Sequence, residues 1–369
     1  MQNNTLSRAD LSNETGVAKD VHYGDVLIKF GEVLDISKEK LPMITDEKVL
    51  TKYKTSFLQN GDVVVADTAE DTTVGKCSEI AELNDEVVIS GLHTIPYRPV
   101  EKFATGYLGY YLNSDSYHNQ LIPLMQGIKV TSISKSAMQD TNIIYPNSKE
   151  EQAKIGKYFI TLDNLITLHQ RKLDHVKDLK KSMLQKMFPK NGQLYPEVRF
   201  PEFTDAWEQR KLGEISDKVT KKNQDVVVDE VFTNSAEYGI ISQRDFFDKD
   251  IANTENIDGY YVVEPNDFVY NPRISTTAPF GPIKRNKLER SGAMSPLYYV
   301  FRPNNVDLSY LEWFFQTSCW YPFMRFNGNS GARSDRFAIT DKIFNEMPIS
   351  LPQDIEEQKR IGMFLTTLD

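Results

Sequence analysis

An α+β fold, built from two pseudo-repeated α/β modules joined by long helices, is what this sequence predicts. Three observations predict it. The first is an internal repeat: Pro146-Asn-Ser-Lys-Glu-Glu-Gln-Ala-Lys-Ile-Gly-Lys-Tyr-Phe-Ile-Thr-Leu-Asp163 returns as Pro352-Gln-Asp-Ile-Glu-Glu-Gln-Lys-Arg-Ile-Gly-Met-Phe-Leu-Thr-Thr-Leu-Asp369. Glu151, Gln152, Ile155 and Gly156 meet Glu357, Gln358, Ile361 and Gly362 in constant register, the mark of a duplicated unit. Fainter echoes upstream keep nearly the same offset: Asp62-Val-Val-Val with Asp267-Phe-Val-Tyr, Tyr97-Arg-Pro with Phe301-Arg-Pro, and Leu108-Gly-Tyr-Tyr-Leu with Leu311-Glu-Trp-Phe-Phe. The second observation is an abrupt change to helical period at Ser148. The third is a pattern of short strand-like runs and polar turns on both sides of that helix.

Residues 1–147 form the first module. Asp25-Val-Leu-Ile-Lys-Phe30, Asp62-Val-Val-Val-Ala66 and Glu86-Val-Val-Ile-Ser90 read as strands, and Tyr107-Leu-Gly-Tyr-Tyr-Leu112 reads as a helix with apolar side chains at one-turn spacing. Residues 148–190 form the long helix. Ser148 is its N-cap and Glu151, three residues on, completes the pattern of a capping box, with Pro146 just ahead. Ile155, Phe159, Leu162, Ile166, His169, Leu173, Val176, Lys180, Met183 and Met187 then follow in steps of four and three, a heptad seam. It runs roughly 48 Å at ~1.5 Å per residue before Pro189-Lys-Asn-Gly192 stops it. So narrow a stripe needs cover, either ordinary packing in a bundle or a partner helix. The second helix start, within residues 353–369, makes an intramolecular antiparallel coiled coil the expected arrangement, with its second arm cut short at Asp369. His169 is expected to set register, and the off-seam Lys154, Lys157, Arg171, Lys172, Lys177, Lys181 and Lys186 give a cationic face suited to solvent, nucleic acid or an acidic partner.

Residues 191–206 form a linker with Pro196 and Pro201, and residues 207–352 the second module. Its strand candidates are Tyr260-Tyr-Val-Val263, Asp267-Phe-Val-Tyr270 and Leu297-Tyr-Tyr-Val-Phe301, with an aromatic helix from Leu308 to Tyr321.

Composition narrows the function. A net charge of −9 excludes a wholly basic nucleic-acid binder and leaves local patches to be found. No apolar run approaches the ~20 residues of a membrane span, and Met1-Gln-Asn-Asn-Thr5 opens no secretory signal, so a soluble cytoplasmic protein is expected. Cys77 and Cys319 alone supply neither a disulfide framework nor a metal site. His22, His93, His118, His169 and His175 lack metal-ligand spacing. A P-loop match at Gly75-Lys76 fails because Cys77 follows and Glu70 stands at the first glycine. Asn271-Pro-Arg-Ile274 departs twice from the Asn-Pro-Pro-aromatic motif of amino-methyltransferases, and no glycine-rich cofactor loop precedes it. No catalytic residue and no metal ligand is predicted.

What the sequence does carry is loop chemistry suited to a polyanion. Asn327-Gly-Asn-Ser-Gly-Ala-Arg-Ser-Asp-Arg336 sets Arg333 and Arg336 among small and amide residues, with Asn329 in the loop and Arg325 just before it. Glycines allow close backbone approach, and arginine takes guanine bidentately in the major groove. Gln126-Gly-Ile-Lys-Val-Thr-Ser132, with Gln126 and Lys129, stands at the equivalent place of the first module. A second basic loop runs from Arg273 through Lys284, Arg285 and Lys287 to Arg290. Any one of these charges alone is as readily a solvated surface group.

Taken together, the chain resembles the specificity subunits of type I restriction-modification systems over essentially its whole length. The resemblance rests on the repeated Pro-x-x-x-Glu-Glu-Gln-x-x-Ile-Gly, on the helix tail Lys180-Lys-Ser-Met-Leu-Gln-Lys-Met-Phe-Pro189, and on Pro196-Glu-Val-Arg-Phe-Pro-Glu-Phe-Thr-Asp-Ala-Trp207 leading into Lys211-Leu-Gly213. It implies two target recognition domains, each reading half of a split DNA site, with the helices setting the spacer and docking two modification subunits. It implies no catalysis by this chain: S-adenosylmethionine would belong to the modification subunits, and ATP and Mg to two partner restriction subunits. The sequence departs from the pattern at both ends. The first module has no counterpart of Pro196–Leu212, and nothing after Asp369 matches Asn164–Pro189. A truncated scaffold that binds a modification subunit but reads DNA poorly is the alternative expectation.

Overall fold

The computed structural model describes residues 1–190, 192–246, 257–330 and 335–369. The chain divides into two compact units, Met1–Gln170 and Arg171–Asp369.

Unit 1 holds two four-stranded sheets. One runs Val33–Asp35, Cys77–Ala81, Val63–Ala66, Thr94–Tyr97, and the other Leu11–Ser12, Met43–Ile44, Ala18–Val21, Val88–Ser90. Apolar Val63, Val64 and Val65 are all buried, so this central strand is packed on both faces. Helix α1 (Tyr23–Ile28) occupies the run expected as a strand at Asp25–Phe30. The correction has a local cause. His22 Nδ1 accepts from Gly24 N–H at 3.2 Å and Asp25 sits in the first turn, while Val26 is the helix's buried residue and Phe30, just past its end, joins the same core. Helix α2 (Tyr107–Asn113) forms where its aromatic spacing predicts. The buried Glu79 carboxylate accepts from the N–H groups of Gly106 and Gly109 at its start, at 2.8 and 3.0 Å.

A buried acid in unit 1 gives a pH-dependent stability. Asp20 accepts from Asn4 Nδ2 at 2.5 Å through Oδ2, while Oδ1 finds no partner among the described residues. Burial pushes its pKa from 3.8 up to about 7, against the opposing Asn4 hydrogen bond. The folded chain therefore keeps a proton that the unfolded chain releases near pH 4. Stability is full below about pH 4 and falls as pH rises toward about 7. Asp20→Asn is expected to flatten that slope, read as thermal unfolding of unit 1 at several pH values across the window; parallel wild-type and variant profiles would refute it.

The long helix α3 (Lys149–Lys186) starts in unit 1 and ends in unit 2. Ser148 Oγ accepts from Glu151 N–H at 3.3 Å, as the cap pattern predicts.

Unit 2 holds the sheet Ser216–Lys218, Tyr299–Pro303, Phe268–Tyr270, Ile283–Arg285, all antiparallel; its last three strands match Thr94–Tyr97, Val63–Ala66 and Cys77–Ala81 of unit 1, while the fourth strand lies on opposite edges, parallel to Cys77–Ala81 in unit 1 and antiparallel to Tyr299–Pro303 in unit 2. The expected aromatic helix from Leu308 to Tyr321 is two helices, α4 (Leu308–Phe314) and α5 (Tyr321–Asn327). Thr317 breaks it: its hydroxyl donates to Phe314 O at 2.7 Å and accepts from Cys319 N–H at 3.1 Å, replacing the helical ladder with local bonds. The last helix, α6 (Ile355–Thr367), lies against α4.

The faint echoes of the repeat become one device used twice. In unit 1 Val63 faces Tyr97 across the ladder; Arg98 Nε and Nη2 reach Asp62 at 2.9 and 2.7 Å. In unit 2 Phe268 faces Phe301; Arg302 Nε and Nη2 reach Asp267 at 2.7 and 3.0 Å. Each buried carboxylate thus takes a bidentate guanidinium at the end of the same strand pair.

The Gln-x-x-Ile-Gly motif is equally explicable. Gln152 Nε2 donates to Pro146 O at 2.7 Å and its Oε1 accepts from Ala104 N–H at 3.2 Å. Gln358 does the same with Pro352 O and Asp307 N–H, both at 2.9 Å. A Cβ on Gly156 would stand 2.7 Å from Thr105 O, and one on Gly362 2.9 Å from Tyr310 N. The motif therefore welds the start of each repeat's second helix to the start of its aromatic helix.

Candidate nucleic-acid interface

The loops singled out in the sequence are hairpins at matching places in the two units. In unit 1, Gln126 and Ser132 exchange backbone bonds at 2.9 and 2.8 Å, and Thr131–Ser132 pairs with Thr68–Ala69. Gly127, with φ of 111°, makes the turn; a Cβ there would meet Val130 O at 1.9 Å. Ile128, Lys129 and Val130 form an exposed tip.

In unit 2, Asn329–Ser330 pairs with Phe337–Ala338. Arg333 lies outside the described residues. Arg336 stands opposite Arg273 in an antiparallel bridge, secured by Phe337 N–H to Pro272 O at 2.8 Å and Ile274 N–H to Asp335 O at 3.0 Å. The strand carrying Arg273 is the counterpart of Thr68–Ala69. Asn271 positions its backbone, accepting from Arg273 N–H at 2.9 Å and donating to Asn234 O at 2.8 Å, so the residues resembling a methyltransferase motif have a local structural use.

Beneath the hairpin, Phe280 packs edge-on against Phe337 and Tyr321 at 5.2 and 5.1 Å, and the Arg325 guanidinium lies 5.9 Å from the Phe280 ring. Arg273, Arg325, Asn329 and Arg336 are thereby gathered around one aromatic base. Arg273, Arg325 and Arg336 have no carboxylate partner among the described residues. Directly opposed like charges destabilise a ladder, so the Arg273–Arg336 placement is kept against its own electrostatics.

Lys284, Arg285 and Lys287 are placed differently. Arg285 pairs across the ladder with Phe268, at the start of the strand Phe268–Tyr270, whereas Arg273 lies beyond that strand's other end. Lys287 Nζ holds Glu312 of α4 at 2.6 Å, Arg285 lies 3.7 Å from the same carboxylate, and Arg285 also bonds Asn266. Burial pushes the Lys284 ammonium down, and its Nζ stands 3.4 Å from Gln316 Oε1. Arg290 in turn holds Glu230 at 2.6 Å, so the structure separates the basic loop into Arg273 at the hairpin, with no carboxylate partner among the described residues, and four cations already engaged by unit 2.

The seam of α3 also divides. Ile155 packs into the unit 1 core and Phe159 lies 5.1 Å from Tyr110; at the other end Met183 and Met187 join the unit 2 core, with Phe188 against Tyr310. Val176 is half-buried, whereas Leu162, Ile166, His169 and Leu173 between the two ends are exposed, Ile166 by 66%. Within unit 2, Lys180 Nζ meets Asp369 at 2.5 Å and lies over the Trp313 ring. The stripe of α6 is buried by α4 and the linker: Glu357, Gln358, Ile361, Gly362 and Leu365 are all covered.

Sequence reasoning missed the exposed Phe326 beside Arg325, and Thr68 and His93 beside the unit 1 hairpin, where Asp67 and His93 lie 3.4 Å apart. Carrying the Asp62-to-Asp267 offset six residues further would have matched Thr68 to Arg273. Among the described residues no group of three His, Cys, Asp or Glu side chains is placed to hold a metal ion, and no helix is long and apolar enough to cross a membrane.

Two sheets that share a three-stranded antiparallel centre, each with an exposed hairpin beside it, make a duplicated module. The family model for the type I restriction modification DNA specificity domain matches residues 20–178 and again 204–369, and the chain belongs to that family. A putative type I restriction enzyme MjaX specificity subunit of Methanocaldococcus jannaschii is 26% identical over 192 residues, a match spanning 51% of this chain and 42% of that protein. The S subunit of a type-I restriction-modification system from M. genitalium is 13% identical and shares the fold, with a TM-score of 0.52 over 100% of this chain and 86% of that one. The HsdS subunit from Thermoanaerobacter tengcongensis is 19% identical, with a TM-score of 0.46 over 85% of this chain and 74% of that one.

Proposed function

We propose that this chain is a DNA-specificity subunit whose two units each read one half of a bipartite sequence. The observation that carries the reading is the pair of hairpins at equivalent places of the repeat, the second presenting Asn329 with Arg273, Arg325 and Arg336, which have no carboxylate partner among the described residues. Arginines without carboxylate partners among the described residues, beside an amide, suit base edges in a major groove. Gln126 and Lys129 take the corresponding role in unit 1. Lys284, Arg285 and Lys287 serve the phosphate backbone at most, being already engaged by Glu312, Asn266 and Gln316.

The exposed middle of α3 supports the rest of the proposal. An apolar stripe from Leu162 to Leu173, flanked by Lys154, Lys157, Arg171 and Lys172, fits a partner helix and the docking of modification subunits. Those subunits would bring S-adenosylmethionine, and restriction subunits ATP and Mg. In such a cytoplasmic assembly the partners supply part of the DNA affinity, which accommodates a chain of net charge −9.

Mapping methylated adenines in DNA exposed to this chain with its modification partner tests the reading. One split sequence, its two parts at a fixed separation, is the expected product. Methylation scattered without sequence choice would refute it.

A further inference from the structure

The two units equip the strands beside their hairpins with different chemistry. The ladder of Val63–Ala66 with Thr94–Tyr97, carried one residue past Ala66 and Thr94, sets Asp67 beside His93. Carried to the same place, the ladder of Phe268–Tyr270 with Tyr299–Pro303 sets Pro272 beside Leu297, and both line one hollow. Arg273 follows Pro272, and Thr68 follows Asp67. Unit 2 thus carries its cation just after an apolar pair, whereas unit 1 has a neutral hydroxyl there and a histidine and a carboxylate in the pair. Asp67 joins His93 to the hairpin. Its N–H donates to His93 O at 3.1 Å and its carbonyl accepts from Ile133 N–H at 2.9 Å, as Pro272 O accepts from Phe337 N–H at 2.8 Å in unit 2.

The His93 ring is fixed yet accessible. Its φ of 55° lies in the left-handed region, which histidine, asparagine and aspartate enter more readily than other side chains, and Thr94 Oγ1 secures the turn by donating to Gly91 O at 2.5 Å. The ring stands edge-on to Tyr23 at 5.3 Å, and 49% of the side chain is exposed. Nδ1 lies 3.4 Å from both Asp67 Oδ1 and Thr68 Oγ1. The Thr68 hydroxyl gives its one hydrogen to Asp67 Oδ1 at 2.7 Å, so both neighbours of Nδ1 are acceptors and the neutral ring carries its hydrogen there. Nε2 is left with a lone pair and has no hydrogen-bond partner among the described residues.

We propose that His93 does for unit 1 what Arg273 does for unit 2, reading one base: Nε2 accepts a hydrogen bond from the exocyclic amino group of an adenine or cytosine in the major groove. Adenine N6 and cytosine N4 donate at that edge, whereas guanine and thymine present acceptors without a donor. A lone pair there selects an amino base over a keto base on the strand it faces. Arg273, a donor only, makes the opposite choice. Asp67 and Thr68 are positioning residues that hold the ring through Nδ1. The inference rests on the reading of the hairpins as DNA contacts and adds to it the chemistry of one base position.

The test maps methylation by the full chain with its modification partner for wild type, His93→Asn and His93→Arg. Asparagine tolerates the left-handed backbone but is too short to replace the ring. His93→Asn is expected to lower the preference for adenine or cytosine at one position about fivefold or more, in the half of the site that Arg336→Ala leaves intact. His93→Arg is expected to move that position to guanine, a gain of choice that a misfolded chain cannot give. An unchanged split sequence in both variants would overturn this inference and leave the hairpin reading standing. So would relaxation in the half read by unit 2, or methylation lost at all sites in both variants, which would make His93 a support of the fold. Scattered methylation by the wild type would remove the hairpin reading itself, and this inference with it.

Discussion

Glu357→Ala is expected to destabilise unit 2 by about 3–5 kcal/mol, the usual cost of removing one partner from a buried charge pair. The loss falls on three groups at once. Arg199 would keep a largely buried guanidinium with its bidentate acceptor gone, Trp207 would lose its acceptor, and the linker that both residues anchor would loosen from α6. Trp207, Trp313 and Trp320 are the chain's three tryptophans, and all lie in unit 2, so urea unfolding followed by tryptophan fluorescence reports this unit alone. The repeat supplies the control. Glu151→Ala, at the matching but exposed position, is expected to change stability by no more than about 0.5 kcal/mol. An unchanged midpoint for Glu357→Ala, or equal losses at both glutamates, would show that the Arg199–Trp207 clasp does not secure unit 2.

That contrast also marks how far the sequence was legible. The repeat disclosed the duplication, the long helix and the hairpin positions, because each depends on local pattern: capping at Ser148, heptad spacing, glycines where a turn demands positive φ. It matched Glu151 to Glu357 letter for letter, yet the two occupy opposite environments, since burial is set by segments over a hundred residues away in the chain, Arg199 and Trp207. The Asp62–Arg98 and Asp267–Arg302 pairs were visible only as two unrelated echoes; the antiparallel ladder that brings each pair together is long-range information. The run at Asp25–Phe30 misled because Val, Leu and Ile satisfy either period, and a histidine cap decided it. The basic loop from Arg273 to Lys287 read as one patch in sequence, but the strand pairing set Arg285 opposite Phe268, at the far end of the strand from Arg273, and gave Glu312 to the distal cations.

Arg336→Ala is expected to relax sequence choice in one half of the recognised site and leave the other half intact. A lost bidentate base contact is worth ~1–3 kcal/mol, about five- to 150-fold in preference at that base pair. Substituting Gln126 and Lys129 should relax the opposite half, and Lys287→Ala neither, because its ammonium serves Glu312. Methylation mapping of reconstituted complexes separates these outcomes. A uniform fall across all sites with a shallower salt dependence would instead assign Arg336 to the phosphate backbone. The ladder adds a second, independent readout. Arg336 faces Arg273 across an antiparallel bridge, where like charges oppose one another, so the same alanine is expected to leave unit 2 as stable as before or more stable by about 0.2–1 kcal/mol. Loss of discrimination together with unchanged or higher stability is a combination that a merely structural arginine would not produce; loss of both would place Arg336 in the support of the hairpin instead of its reading surface.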